Sequence, residues 1–111
     1  MAQRRELLKG NFDSLLLCLL AGRRMYGYQL IKELEERSEG YFKFKEGTLY
    51  PALHRLEAAD LIQGEWQMLP SGRQRKYYRI TAKGHSVLVE RRAQWQDFLT
   101  AMSRIIQPER V

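Results

Sequence analysis

The chain has 111 residues, a formal net charge of +6, 44% hydrophobic residues and a single cysteine. That length makes one domain with a modest core and excludes two; one cysteine excludes an intramolecular disulfide and fits a cytoplasmic protein. The positive balance favours an anionic partner without naming it.

The periodicity predicts a first helix over about residues 3–21, with Gly10-Asn11 as its weak point and Gly22 with Arg23-Arg24 as its end. Arg4-Arg5 followed by the apolar run 14–22 resembles a signal peptide. Glu6 and Asp13 interrupt that approach, Arg23-Arg24 follow at once, and the run is too short for a bilayer. It reads as a core helix, with no membrane partner. Cys18 sits among leucines and reads as a small buried apolar residue, because a reactive thiolate wants cationic neighbours.

A second helix is predicted over about 27–38, with Leu30, Ile31 and Leu34 as its buried stripe and Gly40 as its C-terminal cap. Residues 32–39 are net acidic, so the positive charge of the chain is concentrated elsewhere. A short extended piece, 41–44, leads to a third helix over about 46–59. There Leu49, Leu53 and Leu56 share the core side. Gly47, Thr48, Pro51, His54, Arg55 and Ala58 fall roughly opposite, and Tyr50 sits on the flank. That outer face is slim yet carries hydrogen-bonding side chains, which is what a helix entering the major groove requires. The same pattern also suits an ordinary surface helix of an α+β domain. With Thr48 as N-cap, Pro51 is the third helical residue and breaks no intrahelical bond; a start nearer Lys45 predicts a local bend instead.

Residues 61–68 and 76–81 are strand-like, with Leu69-Pro70-Ser71-Gly72 as turn chemistry between them. Tyr78 and Ile80 share one face of the second strand; Arg75, Tyr77 and Arg79 share the other. Arg73, Arg75, Lys76 and Arg79 place four positive charges in seven residues with no acid among them, a pattern suited to phosphate contact and also common in solvated hairpin tips. Thr81 is then expected to cap a last long helix to about Ile106, before Pro108. Leu88, Trp95 and Met102 repeat every seven residues on it, with Phe98 and Ile105 between them and Leu99 and Ile106 alongside. A terminal helix this apolar must bury its face, and a second copy of the chain is the expected cover. Trp95 either packs that seam or lines a small-molecule pocket built between two chains.

The run Gly47-Thr48-Leu49-Tyr50-Pro51-Ala52-Leu53-His54-Arg55-Leu56-Glu57, then Leu61-Ile62, then Gly72-Arg73-Gln74-Arg75-Lys76-Tyr77-Tyr78-Arg79-Ile80-Thr81, with Tyr26-Gly27-Tyr28 upstream, strongly resembles the PadR-like transcriptional regulators. The likeness covers about residues 7–106 and points to the short class without an added C-terminal domain. It implies a mainly α fold with a small β-hairpin wing: a winged helix-turn-helix body over 1–81 and a C-terminal dimerisation helix over 82–111 within the same compact domain. The N-terminal helix is also expected at the dimer interface. Two departures stand out. Lys45-Glu46 replaces the Ser-Pro or Asn-type start often seen before Gly-Thr, and Lys83 stands where an acidic residue often starts the last helix.

The resemblance further implies a homodimeric repressor on a palindromic operator in double-stranded DNA, released by a small-molecule or stress signal. Thr48, His54 and Arg55 are expected at bases or nearby phosphates. Tyr26, Lys43, Lys45, Tyr50, Arg73, Arg75 and Lys76 are expected to position the protein on DNA. Leu88, Trp95, Phe98, Leu99, Met102 and Ile105 are expected at the dimer interface, with Trp95 beside a small aromatic effector. The alternative is a winged-helix protein-interaction module that does not read DNA. An enzyme is not expected. The two histidines, His54 and His85, lie on different predicted helices, and no metal-ligand spacing, glycine-rich phosphate loop or cofactor motif is present.

Overall fold

The computed structural model describes residues 11–108. Its elements are α1 (Phe12–Gly22), β1 (Met25–Tyr26), α2 (Gly27–Arg37), α3 (Glu46–Ala58), β2 (Ile62–Met68), β3 (Gln74–Ile80) and α4 (Ala82–Ile106). Residues 3–10 of the expected first helix lie outside the described residues. Within α1 the leucine run turns Leu16, Leu17, Leu19 and Leu20 into the core. Cys18 differs from expectation: it is half-buried and faces a cavity, because the core takes the leucines on either side of it.

The core is closed by Leu30 and Leu34 of α2, Leu49, Ala52, Leu53 and Leu56 of α3, and Ile62 and Tyr78 of the hairpin. Each fully buried leucine contributes roughly 1.5–3 kcal/mol relative to exposure, so α2 and α3 are held by packing rather than by propensity. The α2 helix ends one residue earlier than expected. Glu39 (φ 52°) takes the left-handed position, and the Gly40 amide donates to the Glu35 carbonyl at 2.8 Å. Gly40 therefore stands one place beyond the left-handed cap. The α3 helix closes the same way through Asp60 (φ 62°), with the Leu61 amide donating to the Leu56 carbonyl at 3.0 Å.

The start of α3 decides between the two starts the sequence left open. Lys45, not Thr48, is the N-cap, and its carbonyl accepts from the amides of Thr48 and Leu49 at 3.0 and 3.2 Å. Pro51 consequently lies well inside the helix. The carbonyl it cannot serve belongs to Gly47, which is exposed, so the lost donor leaves no buried acceptor unpaired.

The hairpin is in register from Ile62 opposite Ile80 to Met68 opposite Gln74. A third strand, β1, was not expected. It pairs antiparallel with β3, Met25 opposite Tyr78 and Tyr26 opposite Tyr77, giving the order β1-β3-β2. Two residues carry no periodicity to read, but fully buried Met25 anchors the strand. The helix pair α2–α3 followed by this hairpin is a winged helix-turn-helix.

At the start of α4 the Thr81 hydroxyl accepts from the Gly84 amide at 3.0 Å, as expected of its cap. Lys83 also gains a reason: its Nζ donates to the Ala59 carbonyl at 3.0 Å, a cation at the C-terminal end of α3. Gly84 is a point of closest approach. A Cβ there would overlap the Leu61 carbonyl oxygen and lie 2.7 Å from Ile80 Cγ1. Gly84→Ala is expected to lower the unfolding free energy by roughly 1–3 kcal/mol, since the backbone must move. The midpoint of urea denaturation reads this; an unchanged midpoint would show that α4 can back away freely.

Leu88 corrects a second expectation. It is 2% exposed in the core of its own chain, so the seam predicted for a partner begins farther along the helix. Beyond it Phe98, Leu99, Met102, Ile105 and Ile106 all stand exposed. Among the described residues no helix is long and apolar enough to cross a membrane.

Candidate nucleic-acid interface

The exposed side of α3 carries Gly47, Thr48, Tyr50, Pro51, His54, Arg55 and Ala58. Its slim middle, Gly47, Pro51 and Ala58, has no bulk to keep a helix out of a groove. Lys43 and Lys45 are exposed on the segment leading into it. Neither they nor the Arg73 side chain at the wing tip has a carboxylate partner among the described residues.

Each flank of α3 is tied down. On the α1 side, Arg55 Nη2 donates to Asp13 Oδ1 at 3.0 Å. On the wing side, the Glu57 carboxylate accepts from the Gly64 amide at 3.1 Å and from Lys76 Nζ at 3.2 Å. One acid thus clasps both strands of the hairpin to the helix and sets the angle between them. Lys76, expected to meet phosphate, is committed to Glu57 and lies only 5.3 Å from the Tyr78 ring centroid. Arg79 is likewise paired with Glu65 at 2.9 Å.

Between the wing and α3 lies a cleft of about 460 Å³ bordered by Tyr26, Tyr50, Trp66 and Arg75. Gly27 makes it possible: a Cβ there would stand 2.6 Å from the Tyr50 hydroxyl. On its rim the Arg75 guanidinium sits 3.9 Å over the Tyr26 ring. Tyr26 meets Tyr77 edge-on at 5.4 Å, and Arg24 lies 4.8 Å over Tyr77. Two arginines are thereby held by an aromatic pair instead of by acids, and their charge stays available. The adjoining Tyr77 hydroxyl, and then Tyr26, raise the Arg75 pKa against the opposing effect of burial, so it is cationic at every working pH. Burial pushes the Tyr78 phenol up, with Lys76 opposing, and it stays neutral.

The structure therefore gathers Lys43, Lys45, Thr48, Tyr50, His54, Arg55, Arg73, Arg75 and Lys76 on α3, its approach and the wing, with Tyr26 beside them on β1, but pairs Arg55 and Lys76. The sequence reading missed Arg24, Glu57 and Asp13. The β1–β3 pairing brings Arg24 to Tyr77, the α1–α3 contact brings Asp13 to Arg55, and the docking of the hairpin on α3 brings Glu57 to Gly64 and Lys76.

Trp95 is half-buried and meets Phe98 edge-on at 5.7 Å. With Ser14, Leu15, Cys18, Phe42, Leu88, Arg91 and Leu99 it lines an apolar cavity of about 300 Å³. The sequence reading placed such a pocket between two chains; here α1 and α4 of one chain already form its walls.

The model of the transcriptional regulator PadR-like family matches residues 16–90. A transcriptional regulator of Mycobacterium tuberculosis, Rv3488, is 40% identical over 72 residues, which is 65% of this chain and 64% of the relative. Among solved structures, a PadR-like transcriptional regulator from Bacillus cereus superposes with a TM-score of 0.81 at 32% identity, covering 94% of this chain and 99% of its own. A transcriptional regulator from Clostridium thermocellum superposes at 0.82 with 26% identity, covering 92% and 99%.

Proposed function

The chain belongs to the PadR-like family of transcriptional regulators, and on that premise we propose that it is a cytoplasmic homodimeric repressor bound to a palindromic operator. The observation that carries the reading is the slim exposed face of α3 flanked by a wing whose Arg73 and Arg75 have no carboxylate partner. Two such helices, one per protomer, would enter successive major grooves about 34 Å apart. Thr48, His54 and Arg55 would meet base edges, and Tyr26, Tyr50, Lys43, Lys45, Arg73 and Arg75 the phosphates. The exposed apolar stripe Phe98, Leu99, Met102 and Ile105 of α4 supports the homodimer.

Release by a small aromatic effector is the natural extension of this reading. The cavity beside Trp95 has an apolar lining and arginines at its edge. Arg91 on its wall donates to the Ser14 hydroxyl at 3.2 Å, and the neighbouring Asp13 holds Arg55 of α3. A ligand that moves α1 against α4 would therefore act on the DNA-facing helix through one turn of α1.

The test is binding of the purified protein to a fluorescent duplex of its own upstream promoter region, against a scrambled duplex, at two salt concentrations. Salt-sensitive binding with preference for the promoter is expected. Equal weak binding to both duplexes would leave a basic winged helix whose operator lies elsewhere or whose partner is a protein.

A further inference from the structure

Arg55 is the one arginine of α3. It is 60% exposed, yet its side chain is not loose. Nη2 donates to Asp13 Oδ1 at 3.0 Å, and Nε lies 3.5 Å from Asp13 Oδ2. A guanidinium offers two donor pairs to a planar acceptor: the side pair Nε and Nη2, and the end pair Nη1 and Nη2. The Asp13 carboxylate takes the side pair. The end pair, with Nη1 and the second hydrogen of Nη2, has no partner among the described residues. That end pair is the one left open here to reach O6 and N7 of guanine in the major groove.

We propose that Asp13 is a specificity-determining positioning residue: it holds Arg55 by one edge so that the other edge reads guanine in each half-site. This rests on the reading of α3 as the helix that enters the groove. Two further observations and one argument carry it. Asp13 is 26% exposed on the first turn of α1, so its carboxylate is far less free than that of a loop residue. The next residue, Ser14, is buried and accepts from Arg91 of α4, which fixes that turn on two sides. Finally, an exposed ion pair adds little to stability, and an acid beside a DNA-facing helix repels phosphate. Neither consideration favours an acid here; the first turn of α1 favours one through the helix dipole, and the two-point contact with Arg55 gives this acid a further role. A free arginine loses rotamer entropy when it docks on a base; one already held by its side edge loses less.

The experiment is selection from a pool of randomised duplexes with the wild-type chain, Asp13→Asn and Arg55→Ala, each checked for an unchanged melting temperature. The wild type is expected to select a guanine at one position in each half-site, and Arg55→Ala to lose that selection. Asp13→Asn is expected to weaken the same guanine preference about tenfold, within the discrimination a bidentate pair supplies. Preferences at other positions should stay as they are, and affinity for random duplex should hold or rise. Asp13→Asn selecting the same guanine as strongly, or more sharply, overturns the proposal, because Asp13 then either does nothing to Arg55 or restrains it. A uniform loss across all positions also overturns it, since that is the signature of a structural role. A wild-type chain that selects no sequence at all overturns the reading of α3 itself, and the role of Asp13 with it.

Discussion

Met102→Glu combined with Ile105→Glu is expected to convert the proposed dimer to monomers and to cost the operator complex at least about 100-fold in affinity. Both side chains are exposed in the single chain, at 38% and 85%, so the double substitution removes nothing from the core. Surface changes of this kind alter monomer stability by no more than about 0.5 kcal/mol. At a two-fold interface the same change appears twice. It puts four carboxylates where apolar contact is expected, and an uncompensated buried charge costs about 3–5 kcal/mol. A dimerisation Kd raised by about a thousandfold is then a conservative figure for the pair. The operator loss follows because two half-sites held together bind far more tightly than either alone. Sedimentation velocity gives the oligomeric state, and circular dichroism shows whether the helices survive. A double variant that remains dimeric would remove α4 from the interface. A monomer that keeps full operator affinity would remove the dimer from DNA recognition.

The same helix shows how far a one-chain pattern can be read. The heptad spacing of Leu88, Trp95 and Met102 was plain, and so was the cap at Thr81. Spacing alone does not distinguish an apolar residue that meets its own domain from one that meets a copy. Leu88 is buried in the core, Trp95 is half-buried at the cavity, and Met102 is exposed. Burial falls along the helix from Leu88 to Met102, and no periodicity encodes where that fall begins.

Elsewhere legibility followed the density of the signal. Helices α2 and α3 and the hairpin each repeat apolar residues several times at one period, and each was found within a few residues of its ends. Strand β1 has two residues and was invisible. The N-cap of α3 stayed open between Thr48 and a start nearer Lys45, because Pro51 suits a late cap while an exposed Gly47 makes an early one tolerable. The site was half legible. Every residue expected at the DNA is on α3, beside it or on the wing. What could not be read is which cations are already taken. Asp13 lies 42 residues before Arg55, and Glu57 lies 19 before Lys76. Both pairings depend on how the helices and hairpin dock.

Those pairings determine the second large effect. Raising NaCl from about 50 to about 200 mM is expected to weaken operator binding by roughly 10⁴-fold, from a slope of about −7 in log affinity against log salt. Per protomer, Lys43, Lys45 and Arg73 have no acid beside them and Arg75 is stacked on Tyr26, which makes four cations to meet phosphate. Two protomers double that, and each neutralised phosphate contributes about 0.9 to the slope. Arg73→Ala should therefore make the slope shallower by about 2 and weaken all sequences alike, because it is lost from both wings. Lys76→Ala should leave the slope unchanged, since Glu57 already neutralises that charge. Its effect should appear instead as a smaller gap between operator and scrambled duplex, because the wing loses one of its two ties to α3. Fluorescence anisotropy across a salt series on both duplexes separates these outcomes. If Lys76→Ala lowers the slope as much as Arg73→Ala does, Lys76 leaves Glu57 for phosphate on binding. The clasp seen between wing and helix would then belong to the free protein alone.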